Sequence, residues 1–397
     1  MNIGIYGGTF DPPHRGHIAA AKAAMSALHL DRLLLIPDAV PPHKALPEGS
    51  PTAQQRCDMA VLATAELGRQ AEVSDMELRR AGVSYTADTL AQLRRQYPED
   101  ELYLLMGTDM FLSLQSWRQP ERIAALAHIA PFRREREDDP AAFAAQKERL
   151  ERDYGASVTV VPNPDVVDIS STEVRAALAQ GEGEDMLPPA VWGYICRERL
   201  YGTHTDLKHL TPDELRPVAL SYLKPKRMPH VLGTEQEAVR LAERYGADVT
   251  KARVAALLHD CTKKLDMAEQ LALCERYRIP LDELERKALK LLHSKTGAAI
   301  ARDVFAVDDE VYNAILYHTT GKPDMTLLEK IIYLADYIEP TRDFLGVEEL
   351  RRTVYEDLDR GLLLGLTMTI QEMEELDNPV HHMTRDARDY LMKRGIS

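Results

Sequence analysis

Four cysteines, Cys57, Cys196, Cys261 and Cys274, are spread over 397 residues, and no two of them form a CxxC pair. A disulfide framework is excluded, and a reducing, cytoplasmic compartment is expected. Positive charge is also short: 49 Lys and Arg face 63 Asp and Glu, a formal net charge of −14. The parts on either side of Gly202 are both acidic, which argues against nucleic acid as the main partner. No apolar run reaches the roughly 18 residues of a membrane span, so no membrane association is expected. The chain starts without the basic stretch of a signal peptide, so none is expected. Internal repeats and low-complexity tracts are missing.

The length exceeds one ordinary core and predicts two domains. In the first half, short apolar segments at residues 3–6, 32–37, 102–106, 128–130 and 157–161 read as strands. Helical stripes at 18–28, 54–66, 86–96, 120–127 and 140–154 lie between them. This alternation predicts an α/β Rossmann-like fold with a parallel sheet, whose ligands sit at the carboxyl ends of the strands. After about residue 201 strand signals nearly vanish. Helical stripes take over, among them 234–245, 251–259, 284–293, 296–304, 309–318, 327–338 and 347–373, and predict an all-α domain. The expected division is 1–202, a linker at 203–209, and 210–397.

Two groups of residues carry chemistry. The first strand runs into Gly7-Gly8-Thr9-Phe10-Asp11-Pro12-Pro13-His14-Arg15-Gly16-His17. Glycines let backbone approach a phosphate, and a helix start offers N–H groups and partial positive charge. His14 and His17 add donors for charged oxygens. Later, Ile169-Ser170-Ser171-Thr172-Glu173-Val174-Arg175 opens another helix with hydroxyls and a cationic fork. Alone, that segment reads more readily as a helix cap followed by a surface arginine.

Together the two segments resemble the nucleotidyltransferase superfamily, and within it bacterial nicotinate-nucleotide adenylyltransferase. Pro41-Pro42-His43-Lys44, Ser84-Tyr85-Thr86-Ala87-Asp88-Thr89-Leu90, Gly107-Thr108-Asp109 and Trp117 extend the resemblance over residues 1–202. It implies transfer of AMP from ATP to nicotinate mononucleotide, with Mg²⁺ accompanying ATP. By the same resemblance His14, His17, Lys44 and Arg175 act on phosphate. Gly7, Gly8, Thr9, Phe10, Ile169, Ser170, Ser171 and Thr172 bind nucleotide. Thr86 and Trp117 lie at the nicotinate ring and Asp109 near the mononucleotide. The chain departs from the family at Pro131-Phe132-Arg133-Arg134, where Arg-Pro-Gly is usual. Arg133 is the arginine available there, and the choice between nicotinate and nicotinamide stays open.

The second group is His230, the pair His259-Asp260, His293, His318 and Asp336. A carboxylate at the end of an apolar helix must find a partner, and a metal supplies one. Mixed imidazole and carboxylate ligands suit Fe, Mn or Zn better than Mg or Ca. The order of these residues resembles the HD hydrolase superfamily. The flanking motifs Arg227-Met-Pro-His-Val-Leu-Gly233, Leu257-Leu-His-Asp-Cys-Thr-Lys263, His318-Thr-Thr-Gly321 and Leu328 to Pro340 resemble the YqeK family. That resemblance implies two transition-metal ions, Fe first with Mn or Zn as alternatives, and hydrolysis of diadenosine tetraphosphate to two ADP. His230, His259, Asp260 and Asp336 are expected at one ion, with Asp260 bridging to a second held by His293 and His318. Lys263, expected one turn after His259 on the same helix, would neutralise phosphate charge. Arg342 and Lys330 are weaker candidates for that role.

The expected whole is a bifunctional enzyme acting on ATP, nicotinate mononucleotide and dinucleoside polyphosphates. Another small phosphate acceptor for the first half stays open, as do another nucleotide or a regulatory nucleotide-binding role for the second, and a homodimer.

Overall fold

The computed structural model describes residues 1–40, 46–80, 82–133, 139–163 and 166–396. They fall into two compact units, Met1–His204 and Thr205–Ser397.

The first unit is built on a five-stranded sheet: β1 (Asn2–Gly8), β2 (Arg32–Pro37), β3 (Ala71–Val73), β4 (Glu101–Gly107) and β5 (His128–Phe132). Its order is β3-β2-β1-β4-β5 and every pairing is parallel. Ile3, Ile5, Leu34, Ile36, Leu102, Leu104 and Ile129 alternate onto one face and pack with Leu90, Leu93, Ile123, Phe143 and Leu150. Leu33, Leu35 and Leu105, on intervening positions, are buried as well. Strands buried on both faces are what a sheet covered by helices on each side requires. The order in which strands are added reverses between β1 and β4, and the crevice at such a switch point holds ligands.

Two details differ from the sequence reading. β3 was not anticipated, since three residues are too few for a period-two signal. Residues 157–161 form no strand of the named sheet; Val158 and Val161 make only isolated bridges to β5.

The second unit is helical. Helices Met228–Tyr245, Val249–Leu258, Asp309–Tyr317 and Leu327–Ile338 pack on one another around fully buried Leu257, Leu258, Ile331 and Leu334. The two stripes expected at 284–293 and 296–304 join into one helix, Leu289–Phe305. The long stripe at 347–373 is two helices, Val347–Glu356 and Leu358–Glu375. Asp357 breaks it: its backbone is extended, and its carboxylate accepts the N–H groups of Asp359 and Arg360 at 2.9 and 3.0 Å. Apolar periodicity is continuous across that break, so pattern alone could not show it. Among the described residues no helix is long and apolar enough to cross a membrane. All four cysteines are buried free thiols.

Candidate active sites

A cavity of about 300 Å³ opens at the carboxyl ends of β1, β4 and β5. Gly7, Gly8, Thr9, Phe10, His14 and His17 line it from the first loop, and Ile169, Ser170, Ser171, Thr172 and Arg175 from the later helix. Thr86, Asp109, Trp117 and Arg133 complete the set of sequence candidates around it. Lys44 lies outside the described residues.

The helix after the loop begins at Arg15, three residues earlier than its apolar stripe, so His14 is its N-cap and His17 sits in its first turn. The two imidazoles lie 3.8 Å apart between centroids. The His14 backbone N–H donates to Nδ1 of His17 at 3.2 Å. That bond leaves the proton of a neutral His17 ring on Nε2, where it is a donor. Gly16 is forced by crowding: a Cβ there would stand 3.0 Å from the His14 ring and from the Val167 carbonyl.

The later helix, Ser171–Leu178, is capped by Ser170, whose hydroxyl accepts from the Glu173 N–H at 3.2 Å. It docks onto the first loop. Ser171 Oγ donates to the Pro12 carbonyl at 3.0 Å and Arg175 to the Asp11 carbonyl at 2.6 Å. The hydroxyl-arginine segment thus holds the glycine loop in place as well as lining the cavity.

Sequence reasoning missed several residues here. Arg56, fully buried, donates to the carbonyls of Thr9 and Asp38, each at 2.7 Å, and props the loop from beneath. Tyr201 donates its hydroxyl to buried Asp11 at 2.7 Å. Glu77 lines the cavity and accepts from Thr89 Oγ1 at 2.6 Å; burial pushes its carboxyl up to about 7. Arg118 stacks over Tyr85, its guanidinium carbon 4.4 Å from the ring centroid. None of the four has a local spacing signal, because each acts across a large sequence separation or through burial.

In the helical unit, five elements bring all six expected ligands together. His230 and Asp336 lie within helices, His259 and His318 at helix ends, Asp260 just beyond His259, and His293 in the helix Leu289–Phe305. Ligand atoms of His230, His259 and Asp260, of Asp260, His293 and His318, and of His259, His318 and Asp336 lie within 4.8 Å of one another. Asp260 divides its oxygens. Oδ2 is 3.6 Å from Nε2 of His259 and 3.9 Å from that of His230, while Oδ1 is 3.2 Å from Nε2 of His293. Asp336 Oδ1 stands 3.0 Å from Nε2 of His230.

Each imidazole is oriented through Nδ1. His259 pairs with the Ala256 carbonyl at 2.6 Å, His293 with Lys290 at 2.8 Å, and His318 with Ile315 at 2.6 Å. His230 pairs with the Glu339 carboxylate at 2.9 Å. Nδ1–H bonded outward leaves each Nε2 lone pair aimed inward, which is how metal-binding histidines are held. The Nε2 atoms of His230 and His259 are 3.4 Å apart and those of His293 and His318 are 3.1 Å apart. Two nitrogens each about 2.0–2.1 Å from one ion stand at such a separation. The residues therefore fit a divalent transition metal. Gly233 makes room for the fully buried Glu339, whose Oε2 would be 2.4 Å from a Cβ at that position. Glu339 is the orienting carboxylate that sequence reasoning overlooked.

Burial alone would raise the Asp260 carboxyl, but His259, His293 and Lys263 outweigh it and hold the group well below its usual range. Burial pushes His293 and His318 down to about 4, so both are neutral at pH 7. Three cations face the centre. Arg227 Nε donates to Asp260 at 2.6 Å, Arg342 to Asp336 at 2.6 Å, and Lys263 Nζ lies 2.9 Å from His293 Nε2. Contrary to the expectation from spacing, Lys263 is not on the helix that leads to His259. That helix ends at Leu258, and a turn closed by Lys263 N–H to the Asp260 carbonyl places it. Lys330 instead pairs with Asp359 at 2.6 Å, outside this cluster.

Residues 5–177 match the cytidylyltransferase-like family and residues 227–341 the HD domain. A protein of Shewanella sp. (strain ANA-3), named a probable nicotinate-nucleotide adenylyltransferase, is 40% identical over 215 residues, 51% of this chain and 99% of that protein. The chain belongs to the nicotinate-nucleotide adenylyltransferase family. A relative of the same name from Idiomarina loihiensis is 36% identical over 50% of this chain and 98% of its own length. The family covers the first half only, and an HD domain follows it. Among solved structures, a predicted HD superfamily hydrolase involved in NAD metabolism, from Clostridium acetobutylicum, is 42% identical. It covers 47% of this chain and 98% of its own, with a TM-score of 0.45.

Proposed function

We propose that the adenylyltransferase unit joins ATP to nicotinate mononucleotide, giving nicotinate adenine dinucleotide and pyrophosphate. Family membership at 40% identity over a whole relative carries this reading. The cavity at the switch point supports it. A phosphate oxygen of the mononucleotide attacks the α-phosphorus of ATP, and the bond to pyrophosphate breaks. Nucleophile and leaving group are both phosphate oxygens, so positioning and charge stabilisation suffice. His17 donates from Nε2 to the transferring phosphoryl group, with His14 beside it. Gly7, Gly8, Thr9 and Phe10 approach the phosphates through backbone. Ile169, Ser170, Ser171, Thr172 and Arg175 serve the ATP side, joined by Lys44. Thr86 and Trp117 flank the pyridine ring, and Asp109 and Arg133 the mononucleotide. Mg²⁺ enters as part of the ATP substrate. Incubation of the protein with ATP and nicotinate mononucleotide tests this: formation of the dinucleotide and pyrophosphate is expected, and absence of both overturns it.

The HD unit is assigned as a phosphohydrolase of dinucleoside polyphosphates, of the YqeK kind, cleaving diadenosine tetraphosphate to two ADP. The convergence of six donors in three overlapping groups, two of them sharing Asp260, supports it. His230, His259, Asp260 and Asp336 would hold one transition-metal ion, and Asp260, His293 and His318 a second; Fe, Mn and Zn suit these donors. When bound, such ions supply Lewis-acid charge to the phosphoryl oxygens and the attacking water. Glu339 holds the His230 ring in place. Arg227, Lys263 and Arg342 ring the centre as cations for the remaining phosphate charge. Metal analysis and product identification with diadenosine tetraphosphate test the assignment; a metal-loaded protein that forms no ADP overturns it.

A further inference from the structure

Resting on the reading of the first unit as a nicotinate mononucleotide enzyme, we infer that Arg118 selects the carboxylate form of the pyridine substrate over its amide. Arg118 directly follows Trp117, and both line the cavity with Thr86. Its guanidinium carbon lies over Tyr85, 4.4 Å from the ring centroid. A cation–π contact with a ring takes up no hydrogen-bond acceptor, so the N–H donors stay to be spent, and a planar fork suits a carboxylate. No carboxylate among the described residues pairs with Arg118. Arg175, by contrast, is committed to Asp11, at 2.6 Å from its carbonyl and 3.5 Å from its carboxylate.

The chemistry of the two substrates separates at one substituent. Nicotinate presents two acceptor oxygens and a negative charge. Nicotinamide presents one acceptor and an NH₂ group, which sets donor against donor at a guanidinium. A cation beside the ring therefore gains charge and two acceptors from one and only a single neutral acceptor from the other, and specificity is that difference of affinities. This bears on the departure from Arg-Pro-Gly after β5. The selecting charge comes from the loop before helix Pro120–Leu126, where Gln119 takes a left-handed conformation with φ of 57°.

The test compares kcat/KM for nicotinate and nicotinamide mononucleotides in full-length wild type, Arg118→Gln and Arg118→Lys. Arg118→Gln should lower kcat/KM for the nicotinate substrate by about tenfold, the scale of one lost charged hydrogen bond. The loss should appear in KM, with kcat within about twofold and the amide substrate unaffected. Arg118→Lys should retain most of the preference. An unchanged substrate ratio in Arg118→Gln overturns the inference. So does an equal loss on both substrates, which would place Arg118 at the shared phosphate or in the folding of the loop. Wild type that turns over neither substrate overturns the underlying reading instead, so the two failures are told apart.

Discussion

His293 and His318 present their Nε2 atoms to each other at 3.1 Å, while Nδ1 of each ring is bonded to a backbone carbonyl. Two neutral imidazoles so arranged point lone pairs at one another, an arrangement a shared cation stabilises. Removing one should cost metal without emptying the whole centre. His318→Ala is expected to lose mainly one of two ions per chain, and Asp260→Ala to lower both. Both variants should lose hydrolysis and keep adenylyl transfer. Chelation should also lower the melting temperature, since an ion at about 100 times its Kd adds about 2.7 kcal/mol to the folded state. Elemental analysis and thermal denaturation read these outcomes. Full metal and full activity in Asp260→Ala would sink the assignment.

In the first unit, the backbone N–H of His14 fixes the tautomer of His17 and so fixes where its donor lies. His17→Ala should reduce turnover of nicotinate mononucleotide with ATP by about 100–1000-fold, the cost of losing one donor to developing charge. Binding of the mononucleotide should change little. Steady-state kinetics and a binding titration separate the two; turnover within threefold of wild type would remove His17 from the mechanism.

How much of this was legible beforehand differs by residue. His14 and His17 could be read because a glycine loop and a helix start follow one strand without interruption. The six candidate ligands could be read as a set because their order and flanks form motifs, although their convergence is a property of five packed segments. Glu339 was hidden. Its role depends on Gly233 leaving space across two helices, and neither residue signals the other in sequence. Arg56 reads as an ordinary surface charge on a helix, yet it is buried under the loop it holds. Asp357 was hidden for another reason: the apolar period runs unbroken through it, and only the turn of its backbone divides the helix.

Glu77 provides a pH signature for the first unit. Its carboxyl is raised by burial to about 7 from an ordinary value of 4.5. Between those values the folded state holds a proton that the unfolded chain has released. The unit is therefore most stable, with respect to this group, below about pH 4.5, and loses that stability as pH rises through about 7. Glu77→Gln keeps an acceptor for Thr89 and carries no charge. It should match wild type near pH 4.5 and exceed it near pH 8, by on the order of 3 kcal/mol. Denaturant melts across that range check the sign. A variant less stable than wild type at pH 8 would show that the charged carboxylate is wanted there.

The boundary of the first unit is set by Tyr201 as much as by composition. Its hydroxyl donates to Asp11 at 2.7 Å, and Asp11 is only 3% exposed. A buried carboxylate that loses a donor pays its desolvation, about 1–3 kcal/mol. Tyr201→Phe should destabilise the unit by that amount and loosen the loop carrying His14. The compact unit runs from Met1 to His204, so a fragment ending at His204 retains this bond and should fold and transfer adenylyl groups. One ending at residue 199 lacks Tyr201 and should be less stable and less active. Activity and denaturation of the two fragments, measured beside the full chain, decide the matter. If the His204 fragment is folded but inactive while the full chain is active, the helical half completes the first site.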